Sequence, residues 1–325
     1  MEIRARNVND VLFQTVMKIR TMGFNEESRN GPVLVFPTPV LLQYDKPTER
    51  VLFSAVRNAN PFFHLMESLW MLAGHDDLAF PVRFNSRFKE FSDDGVRLNG
   101  AYGFRWRKHF GRDQIELVID ELRRNPESRR VVLAMWSVND LGMGSKDPPC
   151  NTHIYFDCRN DVLNMTVCNR SNDLIWGACG ANAVHMSILQ EYVAHAIGKP
   201  VGVYRQFTNN LHVYTKVFDD DYLQRLCIDL MDNDLYSSND VHPAPLIRHD
   251  FGDWNSDLKK FMNNPQTDPA LFYEPFFKFV VGPMRLAWDS RNSDESHSIA
   301  CNIVAEDWRV ACLEWLERYR QRRQK

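Results

Sequence analysis

Pro148, Pro149, Cys150 and Asn151 stand where a loop enters a strand, and the two prolines fix the chain so that a thiol sits at the strand's mouth. That placement suits a nucleophile. Taken alone it suits core packing as well, since free cysteines are among the most buried residues. A reactive thiol needs a lowered pKa, and the available activators are arginines. They cluster on either side of Cys150 in the chain, as Arg129-Arg130 and as Arg170-Ser171-Asn172-Asp173, with a third site at Arg29 before Gly31. Adjacent arginines alone signify surface ion pairs. Three such sites around one cysteine fit a phosphate clamp, because a guanidinium grips phosphate oxygens through paired hydrogen bonds. Glu67 is out of character in an apolar stretch and must be paired or hold a raised pKa, which serves a proton relay as readily as a structural hydrogen bond. His212 and Tyr214 alternate, so both rings point to one side of a strand, where a packed histidine is the plainer reading. Asn182 opens a helix as an N-cap would.

The elements that must position these groups follow from periodicity and breakers. Residues 8–22 read as a helix, and 33–36 and 40–44 as strands separated by prolines. Residues 61–73 are apolar on nearly all sides and stop at Gly74, the pattern of a buried helix with a glycine cap. Asp113 and Glu116 open a helix that Asn125-Pro126 ends. Residues 131–136 read as a strand, and 152–158 and 162–170 as a hairpin about Arg159-Asn160-Asp161. A core helix runs from Asn182 to near Gly198. Residues 230–283, rich in Asp, Asn and Pro, read as long surface loops with short elements, followed by a tail helix bearing Trp308, Trp315 and Tyr319.

The chain has 325 residues, 44% hydrophobic and 25% charged, enough to bury a large core. A formal net charge of -3 gives no field to draw the surface onto nucleic acid or an anionic membrane, so neither is an expected partner. The start carries Glu2, Arg4, Arg6 and Asp10 where a leader needs an apolar core, and the expected compartment is the cytoplasm, that of the host for a virus. Seven scattered cysteines without ligand spacing indicate neither a disulfide frame nor a metal site. The basic end from Arg318 to Lys325 reads as a solvated helix terminus.

The order Glu67-x-x-Trp70, Tyr102-Gly103, Ser128-Arg129-Arg130, Pro149-Cys150, Arg170-Ser171-x-Asp173, Gly177, Asn182 and His212-x-Tyr214 resembles the thymidylate synthase and pyrimidine nucleotide hydroxymethylase superfamily, over about two-thirds of the chain. The resemblance implies an α+β fold with a large twisted sheet flanked by helices, packed against the same sheet of a second subunit. It divides the chain into a catalytic part, 1–228, and a C-terminal extension, 229–325. Its implied substrates are a pyrimidine nucleoside monophosphate and 5,10-methylenetetrahydrofolate. Cys150 is then the nucleophile that adds to C6 of the ring, making C5 attack the folate methylene. Arg29, Arg170 and Ser171 hold the phosphate, with Arg129 and Arg130 crossing to the partner's nucleotide. His212 and Tyr214 match the pair holding the sugar hydroxyl, Asp173 a residue touching base and folate, and Asn182 the side chain reading the pyrimidine edge. Tyr102 and Glu67 match the proton-handling network.

After tetrahydrofolate leaves, hydride gives a methyl group and water gives a hydroxymethyl group. Departures from the synthase pattern favour water: Asn151, expected against the substrate, stands where synthases carry His, and Phe88 and Phe91 stand where synthases set tryptophans beside the folate. The Arg-Ser-Asn-Asp wording is also closer to the viral deoxycytidylate hydroxymethylase, and the apolar closing tail of the synthases is replaced by a basic one. Asn182 favours dUMP, with dCMP close behind, provided that the match at 177–181 takes one inserted residue; without it the position falls on Ala181. A thymidylate synthase is the alternative within the superfamily. A non-catalytic nucleotide- or RNA-binding homologue, and a cysteine hydrolase using His153, are the alternatives outside it.

Overall fold

Side-chain caps set where the first helices begin. Asn7 accepts from the amides of Asn9 and Asp10, and Asn60 accepts from that of Phe63 just ahead of a helix with Pro61 in its first turn. The structure, a computed structural model, describes residues 1–324, the side chain of Asp232 excepted. The first half runs β1 (Glu2–Ala5), α1 (Val8–Met22), β2 (Phe24–Ser28), β3 (Gly31–Val35), β4 (Val40–Tyr44), α2 (Pro61–Leu72), α3 (Ala79–Val82), α4 (Tyr102–Phe104) and α5 (Gln114–Arg124). The middle supplies β5 (Val132–Ala134), β6 (Asn151–Arg159), β7 (Val162–Asn169), β8 (Asn172–Asp173), α6 (Asn182–Ala196), β9 (Val201–Thr208) and β10 (Leu211–Tyr214). Helices α7 (Asp220–Asp232), α8 (Phe251–Asn263), α9 (Gly282–Asp289), α10 (Glu295–Cys301) and α11 (Glu306–Gln324) complete it, an α+β class.

The larger sheet has the order β1-β4-β9-β7-β6-β5, and the smaller β2-β3-β10-β8. Asn160 and Asp161 both take positive φ, at 56° and 63°, which turns β6 tightly into β7. Leu163, Met165 and Val167 of β7 point inward and are fully buried, while Thr166 and Cys168, each following one of them, face outward and are half-buried. Helices α1 and α6 cover the inner face, with Gln190 of α6 donating to the carbonyls of Leu163 and Val203. On the outer face Val132, Tyr155 and Phe207 remain 47%, 44% and 40% exposed, and Val132 pairs with Tyr155 in register across the sheet.

Two expectations are corrected. The strand read over 131–136 narrows to Val132–Ala134. Residues 230–283 are surface loops only in part: 233–250 is loop, but α8 and the turns leading into α9 are helical core, with Trp254, Phe261 and Phe277 buried among one another. The Asp and Asn residues that read as loop formers are caps, as where Asp250 accepts from the amides of Gly252 and Asp253. Helix α11 lays Trp315 against Phe62 of α2, ring centroids 5.6 Å apart, and Arg318 donates to Asn58 at 3.1 Å. Lys325, the last residue of the basic end, lies outside the described residues. Among the described residues no helix is long and apolar enough to cross a membrane.

Candidate active site

Cys150 is the last residue before β6, and the ladder that begins there holds it: the Arg170 amide donates to the Cys150 carbonyl at 3.0 Å. The Arg170 side chain completes the mount. Its Nε donates to the Pro149 carbonyl at 2.9 Å and its Nη2 to that of Pro148 at 3.1 Å, while Nη2 lies 3.9 Å from the thiol sulfur. The guanidinium also sits 5.6 Å from the Trp136 ring centroid. Burial pushes the Cys150 thiol above its ordinary 9.0, although Arg170 and Arg29 both pull it down. The arginines therefore oppose a larger desolvation effect, which corrects the expectation of a lowered pKa.

Two cavities meet at this thiol. One, about 640 Å³, is lined by Arg29, Arg170, Ser171, Asp173, His212 and Tyr214. The other, about 750 Å³, lies beneath α2 and is lined by Phe63, Glu67, Phe88, Phe91, His64 and His185. Tyr102, Cys150, Trp176 and Asn182 border both.

In the first cavity, burial holds His212 below its ordinary 6.5, so the ring is neutral near pH 7. Nδ1 is 2.9 Å from Asn210 Oδ1 and 3.4 Å from the Asn210 carbonyl, two acceptors that place the ring proton there and leave Nε2 as an acceptor. The Tyr214 hydroxyl accepts from Asn30 Nδ2 at 3.3 Å, which leaves its own proton to donate. One acceptor beside one donor suits a sugar hydroxyl. Glu26 and Glu27 line the same cavity, so its positive character is local to Arg29 and Arg170.

Asp173 is held up to about 6 by burial; one carboxylate oxygen accepts from the Trp176 amide and the other is buried with no hydrogen bond among the described residues. Burial likewise keeps the Tyr102 phenol well above its ordinary 10, a neutral hydroxyl at any working pH. Gly103 beside it has no room for a side chain, because a Cβ there would meet the Met71 carbonyl at 1.9 Å. That contact fixes α4, and hence Tyr102, against α2.

Asn182 does not cap its helix. Leu174–Ala181 winds as a π-helix with a kink at Cys179 and Gly180, and a π-turn absorbs one extra residue without shifting the helix beyond it. Such a turn lies where the inserted residue was expected, and the side-chain amide at the junction is that of Asn182. Its orientation is anchored through a relay. Gln206 Nε2 donates to the Ala178 carbonyl at 2.7 Å, Asn172 Nδ2 to Gln206 Oε1 at 3.2 Å, and Asn182 Nδ2 to Asn172 Oδ1 at 3.1 Å. A backbone carbonyl at one end dictates the sense of every amide. Gly177 admits the relay, since a Cβ there would lie 2.2 Å from Asn172 Oδ1.

Other expected residues stand apart. Asn151 is fully buried on β6, its amide bonded to Asn169, and lines neither cavity, so it does not reach a substrate there. Arg129 and Arg130 are exposed and also line neither cavity; Arg130 pairs with Glu121 at 3.3 Å. Phe88 packs edge-on to Phe63 with centroids 5.2 Å apart, and Phe91 is 45% exposed at the second cavity's rim. Residues not foreseen are His64, His185, Asp147, Trp176 and Arg322. The histidines were readable, each three residues from a singled-out polar residue on an apolar helix. Asp147, raised by burial, accepts from the Gly100 amide at 2.8 Å. Arg322 belongs to the basic end read as a solvated helix terminus, and its place at the cavity depends on how the last third of the chain folds.

The thymidylate synthase family model matches residues 12–229, two-thirds of the chain. The chain belongs to the thymidylate synthase family. It is 45% identical over 332 residues to the deoxyuridylate hydroxymethyltransferase of Pseudomonas phage M6, covering 98% of this chain and 94% of that protein. It is 36% identical to the protein of the same name from Bacillus phage SP01, over 76% of this chain and 66% of that one. A thymidylate synthase of Symbiobacterium thermophilum is 33% identical over 53% of this chain and 66% of its own length. A pyrimidine nucleotide and a methylenetetrahydrofolate are the substrates that the family implies, and the chain is a one-carbon transferase.

Proposed function

We propose that this enzyme transfers the one-carbon unit of 5,10-methylenetetrahydrofolate to C5 of dUMP and hydrates it to 5-hydroxymethyl-dUMP. The observation that carries the reading is the thiol at the meeting of two cavities, one with cationic and hydroxyl-binding groups and one walled by aromatic rings. The nucleotide lies in the first, its phosphate on Arg29, Arg170 and Ser171 and its sugar hydroxyl between His212 and Tyr214. The anchored amide of Asn182 allows only one sense of pairing with the base. That sense is assigned to uracil, in keeping with the two phage relatives named for deoxyuridylate.

The folate fits the second cavity, where Phe63, Phe88, Phe91 and Trp176 offer rings, and Asp173 in the adjoining first cavity offers a buried oxygen that makes no hydrogen bond among the described residues. It supplies the carbon at the oxidation level of formaldehyde. Cys150 adds to C6, Tyr102 and Asp173 hold protons at the base, and Glu67 stands beside the reacting edge as part of the proton relay. Because the thiol is pushed up by burial, its proton leaves as the C6 bond forms.

The assembly is a homodimer through the outer sheet face, where Val132, Tyr155 and Phe207 are exposed, and Arg129 and Arg130 reach the partner's phosphate. The catalytic part spans 1–228, and the extension 229–325 buttresses α2 and brings Arg322 to the folate cavity. The reaction takes place in the cytoplasm, that of the host for a phage enzyme. Tritium release from C5 of dUMP tests the proposal. It depends on the folate and is lost in Cys150→Ala, which still binds dUMP; release that survives in Cys150→Ala contradicts it.

A further inference from the structure

Helices α2 and α6 each carry two polar side chains three residues apart, His64 with Glu67 and Asn182 with His185, and that spacing puts each pair on one helix face. All four line the second cavity and are buried, His185 to 3% and Glu67 to 8% exposure. His185 Nε2 and Glu67 Oε2 stand 3.0 Å apart, yet the ring nitrogen is not aligned on the carboxylate and neither atom makes a hydrogen bond among the described residues. A buried polar atom left unmade costs about 1–3 kcal/mol, so a fold that keeps two side by side at a substrate cavity gives them work there. Burial keeps the neighbouring His64 ring well below its ordinary 6.5, so it adds no positive charge near pH 7.

We propose that His185 is the general base for the water that captures the C5 methylene, with Glu67 holding the same water and offsetting the charge that His185 acquires. The proposal rests on hydroxymethylation as the overall reaction. Once tetrahydrofolate has left, the ring carries the Cys150–C6 bond and an exocyclic methylene at C5 conjugated to the C4 carbonyl. The water oxygen bonds to the methylene carbon, an O–H bond breaks, and its proton passes to His185 Nε2. The methylene electron pair moves onto O4. Its return re-forms the C5–C6 double bond and breaks the C6–S bond, and Cys150 leaves as thiolate and recovers the proton. Nothing is oxidised or reduced. Arg57, Arg87, Asp147 and Arg322 also line this wall, but its buried side-chain polar atoms without a hydrogen bond among the described residues are His185 Nε2 and Glu67 Oε2, so the imidazole and carboxylate mark the place where a water is held.

The test is a single turnover of the full chain with dUMP tritiated at C5, methylenetetrahydrofolate and an added thiol, comparing the wild-type enzyme with His185→Gln. The expected variant releases tritium within about tenfold of the wild-type rate. Its hydroxymethyl product falls about 10²- to 10⁴-fold, and the stalled methylene is captured by the thiol as a 5-thioether. Release and product falling in equal proportion, or product at the wild-type rate, overturns the role of His185. If His185→Gln does not bind dUMP, His185→Asn is read by the same ratio. A wild-type product that is methylated, with dihydrofolate formed, refutes the proposed function itself and is read without any variant.

Discussion

Arg170→Gln separates the two things that Arg170 does for Cys150. Its Nη2 lies 3.9 Å from the sulfur, and at an effective dielectric of about 20 a full charge there is worth about 4 kcal/mol to the thiolate, against about 1 kcal/mol in water. The site is half-buried, so loss of the charge raises the thiol by about one to three pKa units. Alkylation by iodoacetamide follows the thiolate fraction, and at about pH 8 its rate at Cys150 falls about 10- to 10³-fold. The rate is read by peptide mass mapping across a pH series, because Cys158, Cys168 and the exposed Cys301 compete for reagent. Arg170→Lys restores charge without the fork that holds Pro148 and Pro149. It recovers most of the alkylation rate but keeps a lowered melting temperature, each lost hydrogen bond costing about 1 kcal/mol. An Arg170→Gln enzyme alkylated at the wild-type rate, with the same pH profile, refutes the electrostatic account.

Asp173 is raised from 3.8 to about 6, so its contribution to stability is complete below 3.8 and is lost as pH rises through about 6. Asp173→Asn is therefore more stable than wild type by up to about 3 kcal/mol near neutral pH, with little difference near pH 3.5, while turnover is lost; an unfolding series in urea showing a pH-independent difference contradicts this. Phe207→Glu on the uncovered sheet face yields monomers in sedimentation and no turnover. Mixing the inactive Cys150→Ala and Arg130→Ala proteins restores a fraction of it, since one site in the mixed dimer is intact, and no recovery argues against shared sites. Arg322→Ala raises KM for the folate with nucleotide affinity unchanged, as measured by steady-state kinetics and equilibrium binding; an unaltered folate KM removes the extension from that cavity.

The elements fixed by local chemistry were legible. The capped α1, the wholly apolar α2 ending at Gly74 and the hairpin at Asn160-Asp161 follow from residues near them in the chain. The order of motifs gave the family because it samples two-thirds of the chain at once. Burial was not legible, and it reversed the expected direction of the Cys150 shift: the arginines are written in the sequence, the depth of the thiol is not. Residues 230–283 misled because Asp and Asn mark caps as well as loops. Asp257, for example, is buried and accepts from the amides of Tyr273 and Glu274 at 2.7 and 2.8 Å. Asn151 was expected at the substrate from its place beside Cys150, but the register shift of β6 between Asn151 and His153 turns it inward to Asn169.

The central claim is that water, not hydride, captures the methylene held at C5 while Cys150 is bonded to C6. The most direct measurement is the mass of the nucleotide formed from dUMP and 5,10-methylenetetrahydrofolate, taken with the ultraviolet absorbance of the folate in the same cuvette. The account predicts a product heavier by CH2O and no rise in dihydrofolate absorbance; a product heavier by CH2, with dihydrofolate formed in equal amount, contradicts it.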